Sequence, residues 1–440
     1  MSGSFPAGTG VGEVWDAPTA DSPLDATVDV PGSKSLTNRF LVLAALADSP
    51  VRIRGGLRSS DSDHMIGALR ALGIDVDDSG DEWLVTPGTV RGGASVDCGL
   101  AGTVMRFVPP MVLLADPADG PVTFDAAPSA KGRPMAPLLD ALRALGATVT
   151  SVGDQTFPFT VTPPTSPPAT VEVDASDSSQ FVTGLLLTAP RLPRGLTIRH
   201  TGEKLPSLPH IDMTCETLRD AGIQVDQPDE RTWVVHPGAM SLGDIRVEPD
   251  LSNAGPFMAA AVVAGGTVRI PGWPTHTTQP GAYYPQVFEQ MGATCKFEDG
   301  VMSVTGPSDG IFGIEADLGP AGEITPTIAA LCALATGPST LTGIGHLRGH
   351  ETDRLKAIAT EVQRVGGHCV DGDDSLTFAG LPSVGLDGAV MESYHDHRMA
   401  TFAAIIGLAV PGVQVLNVGT TSKTMPDFPH LWRAMLELPD

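Results

Sequence analysis

The 440 residues include 51 Asp and Glu against 27 Lys and Arg, a formal charge of −24, and are 42% hydrophobic but only 5% aromatic. A chain this acidic is excluded as a binder of nucleic acid or anionic membrane through bulk charge, so any anion it takes must meet cations concentrated locally. Its length exceeds what one hydrophobic core usually serves and predicts two domains.

In chain order, the opening MSGSFPAGTGVGEVWDAPTADSPLD has neither the basic start and apolar stretch of a secretory signal nor the Arg-rich character of a transit peptide, and reads as a flexible lead-in. PGSKSLTNRFLVLAALA, residues 31–47, predicts a buried helix with Lys34 and Arg39 in its opening turns. Cations suit the other end of a helix. Their presence here points to an anion held jointly by helix end and side chains. The plainer alternative is surface residues on a frayed turn. GSKS resembles the close of a phosphate-binding P-loop, but Val28 and Ser33 occupy its two glycine positions, so a nucleotide loop is rejected.

From there the chain repeats. An amphipathic helix ending in glycine and running into a strand occurs at LRALGIDVD (Gly73), LRALGATVT (Gly146), LRDAGIQVD (Gly222), FEQMGATCKF (Gly292) and VQRVGGHCV (Gly366). The spacing is 70 to 76 residues, and each glycine stands where a helix takes a left-handed C-cap. A sixth copy frays out at LWRAMLELPD. Nearly all-apolar helices with polar starts begin near Ser35, Gly102, Ser179, Asn253, Glu323 and Arg398, and belong in a core. Each is followed by a short strand and a polar loop, as in VTFDAAPSAKGRP and LTGIGHLRGHETDR. Six units of roughly 73 residues are therefore expected, three to a domain. Pro-Gly at 31–32 and EPDLSN at 248–253 fall between units and are taken as two crossings of a hinge. One domain then comprises 1–32 with 251–440, and the other 33–250.

Basic residues gather at the apolar helix starts (Lys34, Arg39, Arg106, Arg398) and in the strand-to-helix loops (Lys131, Arg133, Lys204, Arg348, His350, Arg354, Lys423). In a pseudo-symmetric fold, equivalent positions face alike. Helix starts and cations then converge on a cleft for small polyanions. GHETDRL is expected to put His350, Glu351 and Arg354 in a helix's first turn, with Thr352 and Asp353 as candidate caps. HDHR at 395–398 lacks the spacing of a metal site and has no evident third ligand. Cys98, Cys215, Cys295, Cys332 and Cys369 are scattered without a CxxC pair, the pattern of reduced thiols in a cytoplasmic protein. The longest apolar runs stop well short of a membrane span.

PGSKSLTNR, AGTVMRF, KGRPM, SSQF, HETDRL, DHRMA and SKTMPDF occur in that order over essentially the whole chain. The ordered set resembles the 5-enolpyruvylshikimate-3-phosphate synthase family. That resemblance implies an inside-out α/β barrel in two domains, the enolpyruvyl transferase fold, with three βαβαββ units in each, closing over a cleft. It implies enolpyruvyl transfer from phosphoenolpyruvate to the 5-hydroxyl of shikimate 3-phosphate on the route to chorismate, with no cofactor, no metal, a monomeric chain and glyphosate as inhibitor. It implies that Lys34 meets both substrates and is a catalytic candidate that could share the proton transfers with a carboxyl group, and that Ser35, Arg39, Ser178, Ser179, Gln180, Ser207, Glu323, His346 and His350 bind shikimate 3-phosphate. Gly102, Arg133, Gln180, Arg354, Arg398 and Lys423 would line the phosphoenolpyruvate pocket. Glu323 would take the 5-hydroxyl proton, and Glu351 would protonate the methylene. The chain departs from the common pattern at Glu323 (usually Asp), His350 (Lys), His346 (Asn), Leu100 (Asn) and His210 (Tyr). A transferase acting on UDP-N-acetylglucosamine is the alternative, but it typically has a cysteine in the loop where this chain has Lys131. A non-catalytic binder of phosphorylated metabolites is the other, and the paired carboxylates argue against it.

Overall fold

In the computed structural model, which describes residues 13–152, 156–349 and 351–438, the repeated glycine has one job. Gly73, Gly146, Gly222, Gly292 and Gly366 stand at φ of 88°, 88°, 88°, 96° and 85°, a region closed to most side chains. At each, the glycine N–H and the next N–H return to carbonyls of the last helical turn, as in Gly73 to Arg70 (3.0 Å) and Ile74 to Leu69 (3.0 Å). This pair of hydrogen bonds satisfies carbonyls the helix would otherwise leave orphaned and turns the chain into a strand. The sixth copy does not fray. Glu437 takes the left-handed position at φ 55°, and Glu437 and Leu438 make the same two bonds to Ala434 and Arg433.

The described residues form twelve α-helices. They are α1 Lys34–Ala45, α2 Ser60–Ala71, α3 Gly102–Met111, α4 Ala136–Ala144, α5 Gln180–Thr188, α6 Leu208–Asp220, α7 Leu251–Ala264, α8 Tyr284–Gln290, α9 Thr325–Leu334, α10 Arg354–Arg364, α11 His397–Ala409 and α12 Phe428–Met435. The even-numbered ones carry the caps just described. The odd-numbered ones are the apolar set, and in α9 every residue is buried. Propensity does not account for them: α5 contains Gly184 and two threonines. Burial does, at about 1.5–3 kcal/mol for each large apolar side chain. Gly184 is required because a Cβ there would stand 2.1 Å from the Arg106 carbonyl oxygen, so α3 and α5 pack backbone against backbone. No helix of the described residues is long and apolar enough to cross a membrane.

The chain divides into two compact units, one running from Pro31 to Glu248 and the other ending at Val30 and resuming at Pro249. Each unit has its own core, around Trp83, Phe124, Phe181 and Trp233 in the first and Phe257, Ile328, Phe402 and Trp432 in the second. Each contains three sheets. Five of the six sheets are four-stranded, with one parallel pair and two antiparallel ones; Ser95–Asp97, Val122–Asp125, Thr148–Val152 and Thr156–Thr162 make one of them.

Two strands are exchanged between repeats. Leu24–Thr27 precedes α1 in sequence yet pairs with Gly266–Pro271, whereas Asp244–Arg246 precedes α7 yet pairs with Val51–Arg54. The sixth sheet is completed from the N-terminus: Val14–Asp16 lies antiparallel to Gln414–Leu416. The expectation of a flexible lead-in is thus corrected from Glu13 onward. These residues pair with distant strands, and a segment of three or four residues carries too little alternation to announce that.

Candidate active site

Helix starts adjoin within each unit. In the Pro31–Glu248 unit, Asn38 Nδ2 on α1 donates to Thr103 Oγ1 on α3 (2.9 Å), and Arg106 on α3 donates to Gln180 Oε1 at the start of α5 (3.4 Å). The Ser33 hydroxyl caps α1 by accepting from Leu36 N–H (3.4 Å), which puts Lys34 at the first helical position. Lys34 Nζ stands 3.7 Å from Asp61, a carboxylate 3% exposed at the start of α2. Arg39 is buried. It stacks over Phe107 at 5.4 Å and donates to Ser35 O (2.8 Å), His210 O (2.8 Å) and Thr214 Oγ1 (2.9 Å). It therefore ties α1 to the first two turns of α6. The residue capping α6, Ser207, is held at φ 54°, a strained conformation for a non-glycine.

Gly102 opens α3 between two arginines and an amide. A Cβ there would lie 2.8 Å from Arg106 NH1, 3.5 Å from Gln180 Oε1 and 3.8 Å from Arg133 NH1. Arg106 is also fixed by Gly102 O and Pro134 O and stacks on Phe181. Arg133 donates to Leu100 O (2.7 Å). Ser178 Oγ accepts from Gln180 N–H (3.3 Å), and Ser179 is buried ahead of α5. Leu100 and His210 both engage arginines through backbone carbonyls, which any residue supplies. Lys131 is paired with Asp125 at 2.7 Å.

The other unit carries the carboxylates. Glu323 Oε1 accepts from Ser252 Oγ on α7, and its Oε2 lies 3.4 Å from Arg398 NH2 on α11. Arg398 NH1 also donates to the Glu323 carbonyl (3.0 Å). Glu351 sits in the turn before α10 rather than in its first turn, because Asp353 caps the helix by accepting from Lys356 N–H (3.1 Å). Glu351 Oε1 meets Lys423 Nζ at 2.7 Å and its Oε2 meets Arg354 NH2 at 2.9 Å. Arg354 is clamped from its other side by Asp396, which is wholly buried (Nε to Oδ2 2.7 Å, NH2 to Oδ1 3.2 Å). Asp396 Oδ1 also caps α11 through Arg398 N–H (2.9 Å). Beside Lys423, Thr424 and Asn253 exchange hydrogen bonds. The Glu323–Arg398 pair is thus joined, through the Arg398 N–H on Asp396, to a run of ion pairs over Asp396, Arg354, Glu351 and Lys423.

His346 packs on Gly322, where a Cβ would be 2.4 Å from its Nε2, and burial pushes its imidazole below the usual histidine range. His350 lies outside the described residues. Arg348 is engaged in ion pairs with Asp353 (2.8 Å) and Asp371 (3.0 Å). Asp396, Ser252 and Asp61 escape sequence reasoning. The signal for Asp396 was its place directly before the α11 start. Burial pushes all five thiols up to about 12, so none is a ready nucleophile. Among the described residues, no group of three or more His, Cys, Asp or Glu is placed to hold a metal.

The profile of the family described as EPSP synthase (3-phosphoshikimate 1-carboxyvinyltransferase) matches residues 18–432. The 3-phosphoshikimate 1-carboxyvinyltransferase of Bifidobacterium longum is 52% identical over 439 residues, covering 96% of this chain and 98% of that one. That of Kocuria rhizophila is 50% identical over 439 residues, covering 96% and 97%. Among solved structures, EPSP synthase from Acinetobacter baumannii superposes with a TM-score of 0.79 at 22% identity, covering 96% of this chain and 98% of that one. The enolpyruvyl transferase NikO from Streptomyces tendae gives 0.74 at 19% identity, covering 97% and 98%.

Proposed function

The chain belongs to the EPSP synthase family, and from that premise we propose how its residues divide the work. The reaction is transfer of the enolpyruvyl group of phosphoenolpyruvate to the 5-hydroxyl of shikimate 3-phosphate, releasing phosphate, in the shikimate pathway to aromatic amino acids. The observation that carries the division of roles is the charge chain from Glu323 to Lys423. It sets three carboxylates, Glu323, Asp396 and Glu351, among three cations, all held by ion pairs and hydrogen bonds. Cations held in place stabilise a developing anion without reorganising.

Arg354 and Arg398 offer the forked donors that suit carboxylate and phosphate, with Lys423 as a point charge. An anion arriving at Arg354 and Lys423 competes with Glu351 for both. Freed from both cations, Glu351 takes a proton from solvent and delivers it to C3 of the enol. Glu323, whose Oε1 accepts from Ser252, takes the proton of the attacking 5-hydroxyl. C2 becomes tetrahedral. Collapse returns a C3 proton to Glu351 and expels phosphate, which takes up the proton that Glu323 removed from the hydroxyl. In the Pro31–Glu248 unit, Lys34, Ser35, Ser178, Ser179, Gln180 and Ser207 take shikimate 3-phosphate, with Arg39 fixing Ser35 and the start of α6. Gly102, Arg133 and Gln180 take phosphoenolpyruvate together with Lys34. His346 and His350 complete the shikimate 3-phosphate contacts. The chain works as a monomer in the cytoplasm, with glyphosate as an inhibitor and no cofactor.

Phosphate release from phosphoenolpyruvate is expected with shikimate 3-phosphate and not with UDP-N-acetylglucosamine. Release with neither would leave a binder. Gly102→Ala tests the pocket. Its methyl would crowd Arg106 NH1 at 2.8 Å, and a one-carbon misfit in a tight site is worth about 10–200-fold. Glyphosate inhibition should weaken by about that factor, with a smaller rise in KM for phosphoenolpyruvate. An unchanged inhibition curve would place Gly102 outside the pocket.

A further inference from the structure

Tyr394 and His395 both stand at φ 55°, the left-handed region that non-glycine residues enter at a cost of about 1–3 kcal/mol each. They immediately precede Asp396 and, two residues on, Arg398. No glycine relieves the turn SYHDHR, so something outside it must hold it.

The holder is on α10, two helical turns beyond Arg354. Glu361 has a side chain 0% exposed. Its Oε1 accepts from the Tyr394 hydroxyl (2.7 Å) and its Oε2 from the Glu392 N–H (3.1 Å). Arg364 bridges both oxygens at 2.8 and 3.1 Å. The turn is stitched further by Tyr394 N–H to Glu392 Oε1 (3.1 Å) and Asp396 N–H to Ser393 O (2.8 Å). Burial and the Glu361 charge push the Tyr394 phenol up to about 12, which keeps it a donor. α10 therefore grips the segment 392–398 at two places, Glu361 on the strained turn and Arg354 on Asp396. A buried carboxylate is a poor device for stability alone, because its desolvation is seldom recovered in full. It is a good device for fixing one conformation among several.

We propose that Glu361 is a positioning residue for the transfer reaction, holding the Tyr394–His395 turn left-handed so that Asp396, Arg354 and Arg398 are set for phosphoenolpyruvate. This rests on the reading of Arg354 and Arg398 as the clamp for that substrate. A purely structural role would lower stability without favouring one substrate over the other.

The test compares steady-state kinetics of Glu361→Gln, Tyr394→Phe, Glu361→Gln combined with His395→Gly, and Arg398→Lys. Gln offers one acceptor oxygen where Glu361 offers two. Glu361→Gln is expected to raise KM for phosphoenolpyruvate by about 10–100-fold, as loss of supporting partners does elsewhere. Tyr394→Phe should raise it by a smaller factor. KM for shikimate 3-phosphate should stay within about twofold in both. Adding His395→Gly, which makes positive φ free of strain, should recover much of the loss. If Arg398→Lys raises KM for phosphoenolpyruvate while Glu361→Gln and Tyr394→Phe do not, the proposal is overturned and the clamp reading stands. If Arg398→Lys leaves it unchanged as well, the clamp reading fails and takes the proposal with it. Should Glu361→Gln fail to fold, Tyr394→Phe, which removes one hydroxyl, decides alone.

Discussion

Glu351→Gln is expected to lower kcat by about 10²–10⁴-fold, the usual loss when a positioned proton carrier is removed. Gln has nearly the shape of Glu and can keep an oxygen toward Lys423 or Arg354, but its amide carries no proton of the right acidity. The accompanying change in KM separates this role from simple electrostatics. Glu351 engages, at 2.7 and 2.9 Å, the cations that the substrate anion is proposed to take. Removing its charge removes a competitor, so KM for phosphoenolpyruvate should hold or fall while kcat collapses. Phosphate-release kinetics at saturating shikimate 3-phosphate measure both. A kcat within threefold of the parent would move the proton to another group, with Lys34 the next candidate. A large rise in KM with unchanged kcat would make Glu351 a binding residue.

The repeats were legible because their signal is local. A Schellman cap needs its glycine within one helical turn, and an apolar helix declares itself over about three turns. The sixth cap was misread because Glu437 fills the glycine position, a strain that sequence pattern does not reveal. Cations at helix starts were equally legible, and the ordered motifs supplied their expected roles.

Partnerships were not legible. Arg354 is 42 residues from Asp396, and Ser252 is 71 from Glu323; nothing in either string names the other. Arg39 illustrates the limit best. It reads as an anion ligand in the sequence, yet its guanidinium also joins α1 to α6. The departures at Leu100 and His210 leave these contacts untouched, because the arginines use main-chain oxygens.

The largest stability effect is expected at Asp396. Burial alone would pull the Arg354 guanidinium down, but Asp396 and Glu351 outweigh it and hold it above the ordinary arginine range. Arginine cannot shed its proton to escape a bad environment. Asp396→Ala therefore leaves a guanidinium 2% exposed with half its compensation gone, and also uncaps α11. Breaking a buried pair from one side costs about 3–5 kcal/mol, and the lost cap adds about 1 kcal/mol. Urea unfolding should show a lower midpoint with an unchanged slope. Asp396→Asn, which keeps the cap oxygen, should lose less. The sharper comparison is Asp396→Leu combined with Arg354→Met. An apolar pair of similar volume is often as stable as the ion pair it replaces, so the double variant should recover most of the midpoint yet show no turnover. That separation would mark the pair as retained for the anion it receives. A double variant as unstable as Asp396→Ala would mean that the ion pair itself holds α10 against α11.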